Sequence, residues 1–144
     1  MTARLLGLIL LPVVVLGQDL FLKSDAQTRA LPATGIDAHV LDTSQGAGAE
    51  GVQIDLHFQN GTDWSFVKTQ PTQPSGRTDL FCTKLHAGTY RLTFHVEDYF
   101  KATGRETFYP EVVIHFKVKE TELDQNFHVP ITLSPFGYST YRGV

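Results

Sequence analysis

The sequence predicts an all-β protein, a two-sheet antiparallel β-sandwich with one short helix. Apolar and polar residues alternate along several segments, turn-forming residues separate those segments, and one segment alone has a helical composition. A chain of 144 residues with 42% hydrophobic residues is sufficient for one globular domain. Strands with one apolar face bury that face against a second sheet, and this favours a sandwich.

Four segments show the strand period most clearly. They read VQIDLHFQ from residue 52, TYRLTFHVE from residue 89, EVVIHFKVK from residue 111 and NFHVPITLS from residue 126. Every second residue in each is apolar, so each predicted strand has one apolar and one polar face. Shorter strands are predicted for AHVLD, WSFVKTQ and TDLFC, which begin at residues 38, 64 and 78. Turn residues lie at 45–48, 60–61, 74–76 and 87–88.

The segment EDYFKATG, residues 97–104, departs from the strand period. It contains good helix formers and ends on Gly104, a residue type that commonly terminates helices. We predict one helix of about two turns here.

The N-terminus has the pattern of a secretory signal peptide. Arg4 is followed by an apolar run from Leu5 to Leu16, which is too short to span a bilayer comfortably. We predict a signal peptide over 1–17, a flexible lead-in over 18–35 and a sandwich domain over 36–144, so that the mature form has no membrane segment. The alternatives are a disordered leader or a misassigned start codon.

Charge and cysteine content exclude several classes of protein. The net charge is −3 and the Lys and Arg residues are scattered, so no nucleic-acid partner is predicted. Cys82 is the single cysteine, which rules out an intrachain disulfide, and its apolar neighbours predict a core position. Asn60-Gly61-Thr62 is a glycosylation sequon if the chain is exported.

No local enzyme motif is present. The sequence contains no HExxH, GxSxG or P-loop, and its six histidines lack metal-ligand spacing. Any active site must therefore be assembled from distant segments or from several subunits. His128 is the first candidate, because the polar face of its predicted strand carries little charge. Such a face suits a wet interface or a ligand groove, and the alternative is a histidine that simply faces solvent.

Four segments together resemble the 5-hydroxyisourate hydrolases, the transthyretin-like family. The C-terminal NFHVPITLSPFGYSTYRGV resembles the family's ending, in which Tyr-Arg-Gly-Ser follows a His-Val-Pro strand. AHVLDTSQG from residue 38, SGRTDL from residue 75 and GRETFYPEVVIHF from residue 104 resemble its other signature segments. The resemblance extends over about residues 36–144 and implies a transthyretin-like sandwich.

The resemblance also implies the site residues. The family's catalytic histidines and arginine fall on His39, Arg77 and His128, and its substrate-binding C-terminal motif falls on Tyr141, Arg142 and Gly143. The family's final serine is replaced by Val144, which has no hydroxyl. Activity weakened or lost at this position is therefore one expectation.

The implied reaction is the hydrolytic opening of the six-membered ring of 5-hydroxyisourate, a small purine-derived molecule of urate degradation. A histidine accepts the proton of the attacking water and an arginine stabilises the developing charge, so neither a metal nor an organic cofactor is required. The family resemblance further implies a homotetramer in which outward strand faces line a channel.

Two other functions stay open. One is a secreted transthyretin-like carrier that binds a small aromatic ligand in the channel between subunits, which the leader and Val144 both make more credible. The other is a structural sandwich without a ligand. We expect the protein to be secreted, with an intracellular or peroxisomal location as the alternative.

Overall fold

The computed structural model describes residues 33–143, which form two four-stranded β-sheets packed face to face. The predicted signal peptide, the lead-in up to residue 32 and Val144 lie outside the described residues. No helix within residues 33–143 is long and apolar enough to cross a membrane. The strands are β1 Gly35–Asp42, β2 Ala47–Gly48, β3 Gln53–Asn60, β4 Asp63–Pro71, β5 Gly88–Phe94, β6 Val112–Val118, β7 Asn126–Ser134 and β8 Gly137–Thr140. The helices are α1 Val96–Ala102 and a 3-10 turn Glu120–Glu122.

The predicted sandwich is confirmed. One sheet has the strand order β2-β1-β7-β8 and the other has the order β4-β3-β5-β6. All neighbouring strands are antiparallel except β1 and β7, which run parallel from Gly35↔Asn126 to Asp42↔Leu133. Neighbours joined by a tight turn must be antiparallel, whereas strands as distant in sequence as β1 and β7 are free to run parallel.

Alternation along the strands separates the core from the outer faces. The inward side chains of β1, β3, β5 and β7 fill the space between the sheets, as the apolar positions predict. The side chains between them point outward, which places His39 on the outer face of β1 and His128 on the outer face of β7. The fully buried residues of these strands include Ile36, Ala38, Val40, Ile54, Leu56, Leu92, Phe94, Ile131 and Leu133.

The predicted short helix is confirmed as α1, which follows β5. Its buried face carries Tyr99 and Phe100. The Tyr99 hydroxyl donates a hydrogen bond of 2.9 Å to the Asp42 carboxylate at the end of β1. Arg105, just beyond the helix, donates to the same carboxylate oxygen at 2.7 Å. This network ties the helix to the sheet that carries β1 and β7.

The predicted strand over residues 78–82 is wrong. The chain there makes only isolated bridges to β1, at His39↔Arg77 and Ile36↔Cys82. The Thr78 side chain accepts the Ala38 amide at 3.0 Å, where a regular strand would offer a backbone carbonyl. Because a side chain replaces part of the ladder, this segment follows β1 without becoming a strand.

We predict that the Asp42 carboxylate makes the fold sensitive to acid. Burial alone would raise the pKa of Asp42, but hydrogen bonds from Arg105, Ser44 and Tyr99 outweigh it and lower the pKa from 3.8 to about 2. The folded state thus binds this proton less readily than the unfolded chain does. The stabilisation, about 2 kcal/mol, is complete above pH 4 and is lost as the pH falls toward 2. Urea unfolding at fixed protein concentration between pH 7 and pH 2.5 measures it.

The matched variants are Asp42→Asn and Asp124→Asn. The amide at position 42 cannot titrate, so the free energy of unfolding of Asp42→Asn should fall less between pH 5 and pH 2.5 than that of the wild type. Asp124 is exposed, and Asp124→Asn should retain the wild-type slope. Equal slopes in all three proteins would show that Asp42 is not the titrating group.

Candidate active site

The parallel pairing of β1 and β7 creates the site. It sets Asp37 beside His128 and His39 beside Pro130, all on the outer face of the sheet. The imidazole rings of His39 and His128 are 6.0 Å apart between centroids. Two histidines from opposite ends of the domain thus lie side by side, as the family resemblance implies.

Arg77 joins the two histidines through the backbone next to β1. Val40 donates its amide to the Gly76 carbonyl at 2.8 Å, and the bridge at His39↔Arg77 follows directly. Gly76 has a φ of +78°, and a Cβ there would lie 2.2 Å from the Val40 carbonyl oxygen. Only glycine allows the chain to approach β1 so closely, and this approach brings Arg77 to the histidines.

The environment of His39 favours its neutral form. Burial lowers the pKa of His39, and the neighbouring Arg77 cation lowers it further, whereas the hydrogen bond that His39 donates to the Ser75 carbonyl raises it. The Nε2 atom of His39 lies 3.1 Å from the Ser75 carbonyl oxygen. A carbonyl can only accept, so Nε2 carries the proton and donates it to Ser75. The Nδ1 atom of neutral His39 is then an available proton acceptor.

His128 contacts an acidic side chain. Its Nδ1 atom lies 2.6 Å from Asp37 Oδ2, and both side chains are largely shielded, with 13% and 14% of their surface exposed. Asn126 donates from Nδ2 to the other Asp37 oxygen at 2.9 Å. The three side chains therefore form one hydrogen-bonded group across the β1–β7 pair.

The C-terminal segment after β8 continues antiparallel to β7. Gly143 donates its amide to the His128 carbonyl at 3.0 Å. A Cβ on Gly143 would lie 2.3 Å from Cδ2 of the His128 ring, well inside contact distance. The buried Gly143 thus lets the backbone at this position pack directly on His128.

One cavity of about 370 Å³ is lined by most of the predicted site residues. It brings together the three predicted catalytic residues, two residues of the predicted C-terminal motif and three further residues. Its lining residues are Asp37, His39, Leu41, Arg77, Asn126, His128, Tyr141 and Gly143.

Arg142 lies outside this cavity. Its guanidinium donates to Gln125 at 2.9 Å and pairs with Glu122 at 3.4 Å, and it stacks over Phe127. It lines a neighbouring cavity of about 260 Å³, which shares His128 and Tyr141 with the first one. Tyr141 is 58% exposed at the boundary between the two cavities.

Asp37 is the site residue that the sequence reading did not identify. It stands two positions before His39, and alternation alone would have placed it on the same face of the strand. Asn126 likewise stands two positions before His128, on the same face of β7. Within residues 33–143, no three His, Cys, Asp or Glu side chains are grouped in a way that could hold a metal ion.

Comparison with known proteins identifies the family to which the chain belongs. Residues 36–143 match the family described as HIUase/Transthyretin. A probable 5-hydroxyisourate hydrolase of Caenorhabditis elegans is 47% identical over 116 residues, which are 79% of this chain and 84% of the relative.

Solved structures agree with the family match. The 5-hydroxyisourate hydrolase of Klebsiella pneumoniae superposes with a TM-score of 0.68 and 33% identity, over 77% of this chain and 99% of that one. Transthyretin of Sparus aurata superposes with a TM-score of 0.72 over 76% of this chain and 97% of its own, but at 23% identity it supports the fold alone. The chain belongs to the HIUase/transthyretin family.

Proposed function

We propose that this protein is a 5-hydroxyisourate hydrolase. The observation that carries the proposal is the single cavity lined by His39, Arg77 and His128, three residue types that suit hydrolysis of a planar, electron-poor ring. Relatives whose names state this activity, from Caenorhabditis elegans and Klebsiella pneumoniae, support the same function.

The proposed mechanism begins with water. A water molecule adds to a ring carbonyl carbon of the substrate, and its proton passes to an imidazole of the His39–His128 pair. Negative charge grows on the former carbonyl oxygen, where the Arg77 guanidinium stabilises it. The ring carbon–nitrogen bond then breaks, and the nitrogen leaves with the proton that the imidazole returns. Burial and the Arg77 cation lower the pKa of His39, so its ring is neutral at neutral pH and can take part in this proton transfer.

The test of this function is direct. Urate oxidase generates 5-hydroxyisourate from urate, and its ultraviolet absorbance is followed with and without the purified protein. We expect a faster, saturable decay in the presence of the protein. Spontaneous decay at an unchanged rate, together with saturable binding of a small aromatic ligand, would favour the carrier function instead.

We predict that Gly143→Ala disables the site without unfolding the domain. The new methyl group would collide with the His128 ring, so the ring and the backbone at residue 143 must separate. Displacement of a catalytic group by about 1 Å can cost about 10²-fold in rate, and we expect kcat/KM to fall by this order. Steady-state kinetics and a thermal unfolding curve measure the two effects.

The control for this prediction is Gly137→Ala. A Cβ at Gly137 would meet only the Ser134 hydroxyl oxygen, at 3.6 Å, which is an ordinary contact. Gly137→Ala should therefore retain the wild-type rate. Equal activities of Gly143→Ala and the wild type would contradict a role for the close packing on His128.

Val144 supports a separate prediction about the chain terminus. The family resemblance implies a serine hydroxyl where this chain has valine. A neutral hydrogen bond contributes about 0.5–1.5 kcal/mol, so Val144→Ser should raise kcat/KM by about two- to twelvefold. Val144→Thr tests the same hydroxyl with the branched shape retained. Unchanged rates in both variants would remove the hydroxyl from the mechanism.

We also propose a homotetramer. Strands β6 and β8 are edge strands of their sheets, and unpaired edges favour pairing with another chain. A partner over the outer face of β1 and β7 would close the cavity against bulk water. Analytical ultracentrifugation of the purified protein tests this, and a monomer at micromolar concentration would contradict it.

Secretion is proposed from the predicted signal peptide over 1–17. Asn60 and Thr62 of the sequon are exposed at the turn between β3 and β4, so a glycan there would not disturb the core. Expression of the full chain in a eukaryotic secretory cell should give protein in the medium with Gln18 at its N-terminus. A glycosidase-sensitive mass shift that Asn60→Gln abolishes would support passage through the secretory pathway, whereas retention inside the cell would contradict it.

A further inference from the structure

We propose that Asp37 is a positioning residue: it holds the proton of His128 on Nδ1 and leaves the Nε2 lone pair for the cavity that the ring lines. This inference rests on the proposed function, because it assigns a role to Asp37 within the same site. Nothing in the sequence reading or the family resemblance assigns that role.

The first support is the geometry of the pair. Asp37 Oδ2 lies 2.6 Å from His128 Nδ1, the distance of a strong charge-assisted hydrogen bond. The two residues are direct partners in the parallel pair of β1 and β7, so the contact is built into two rigid strands. Only 13% and 14% of the two side-chain surfaces are exposed, which limits competition from water.

The second support is the chemistry of the two groups. A carboxylate only accepts hydrogen bonds, so the Nδ1 atom of a neutral His128 must be the donor. The single proton of the neutral ring is then fixed on Nδ1, and Nε2 is the acceptor. A base whose second nitrogen is held by a third group is an arrangement typical of oriented catalytic bases.

The third support is that Asp37 is itself held in place. Asn126 donates to Oδ1 at 2.9 Å while His128 engages Oδ2, so each carboxylate oxygen has its own partner. A carboxylate fixed at both oxygens cannot rotate to release the ring. The ring is restrained on another side by Gly143, whose backbone packs against its Cδ2 edge.

Asp37→Asn should reverse the tautomer of His128. Asn126 Nδ2 would still donate to the remaining carbonyl oxygen at position 37, which turns the new amide nitrogen toward His128. That nitrogen can only donate, so Nδ1 must become the acceptor and the proton moves to Nε2. We expect kcat to fall by about 10²–10⁴ with little change in KM, because the base then has the wrong nitrogen free.

The decisive readout is spectroscopic and needs no substrate. Protein labelled with ¹⁵N-histidine is studied at a pH where the ring is neutral, and His128 is assigned by the loss of its signals in His128→Gln. The proposal expects an Nδ1–H ring in the wild type and an Nε2–H ring in Asp37→Asn. Asp79→Asn, at an exposed carboxylate outside the cavity, is the matched control and should retain the wild-type spectrum.

The outcomes separate this inference from the proposed function. An Nε2–H ring in the wild type, or the same tautomer in the wild type and Asp37→Asn, would overturn the inference. If Asp37→Asn does not fold, the wild-type tautomer alone decides. A predicted change of tautomer in a protein that never accelerates the decay of 5-hydroxyisourate would support the orientation by Asp37 and overturn the function.

Discussion

His128→Ala is expected to lower kcat/KM for 5-hydroxyisourate by about 10²–10⁴, the usual contribution of a positioned general base. The ring lines the cavity, lies 6.0 Å from the His39 ring and is fixed by Asp37. Its removal takes away a proton acceptor and also leaves the Asp37 carboxylate without its partner. Initial rates over a range of substrate concentrations measure the loss.

His86→Ala is the matched control. His86 is an exposed histidine outside the cavity, so its truncation removes the same imidazole without touching the site. We expect His86→Ala to retain the wild-type rate, and we expect both variants to give far-ultraviolet circular dichroism like that of the wild type. A folded His128→Ala protein with undiminished kcat/KM would exclude His128 from the mechanism.

Arg77→Gln is expected to lower kcat/KM by about 10²–10³, the cost of removing one group that stabilises charge in the transition state. It should also change the pH dependence. Burial and the Arg77 cation, in that order, lower the pKa of His39. Without the cation that pKa rises, so neutral His39 forms only at higher pH. The acid limb of the kcat/KM profile should therefore move to higher pH.

Two controls separate charge from shape at this position. Arg77→Lys keeps the cation, so its acid limb should stay close to that of the wild type although the planar guanidinium is lost. Arg91→Gln removes a guanidinium on β5 in the other sheet, away from the cavity, and should leave the profile unchanged. An acid limb that does not move in Arg77→Gln would show that the Arg77 charge is not coupled to the group that sets this limb.

The strand period accounts for most of the fold that could be predicted. In NFHVPITLS the four alternate apolar residues are buried in β7, and the same reading located β3, β5 and β6. The strand period alone, however, does not determine which strands pair with each other. The parallel contact of β1 with β7 depends on long-range packing, and no local pattern in either strand encodes it.

Short or irregular elements escaped prediction for a related reason. β2 has two residues and β8 has four, so neither is long enough to show an alternation. The segment from residue 78 has strand-like composition, but the Thr78 hydroxyl takes the place of a backbone partner of β1. Whether a hydroxyl replaces a backbone hydrogen-bond partner depends on a neighbour that is distant in sequence, so the composition of the segment does not predict it.

For the site, the sequence predicts on which face of a strand a residue lies. Alternation predicts the outward face for His128, and the family resemblance links His128 to His39 and Arg77. Neither source gives the direction of a long side chain. Arg142 belongs to the same motif as Tyr141 and Gly143, yet its guanidinium is held by Gln125 and Glu122 beside the second cavity.

The parallel contact of β1 with β7 also bears on how the protein is made. Asp37 and His128 are 91 positions apart, so a ribosome that adds about 5–20 residues per second completes β7 roughly 5–20 s after β1. During that interval β1 has β2 as a neighbour but lacks β7, so the cavity between His39 and His128 is incomplete. Because a contact across so many residues closes slowly, the β1–β7 pair is expected to form late in folding.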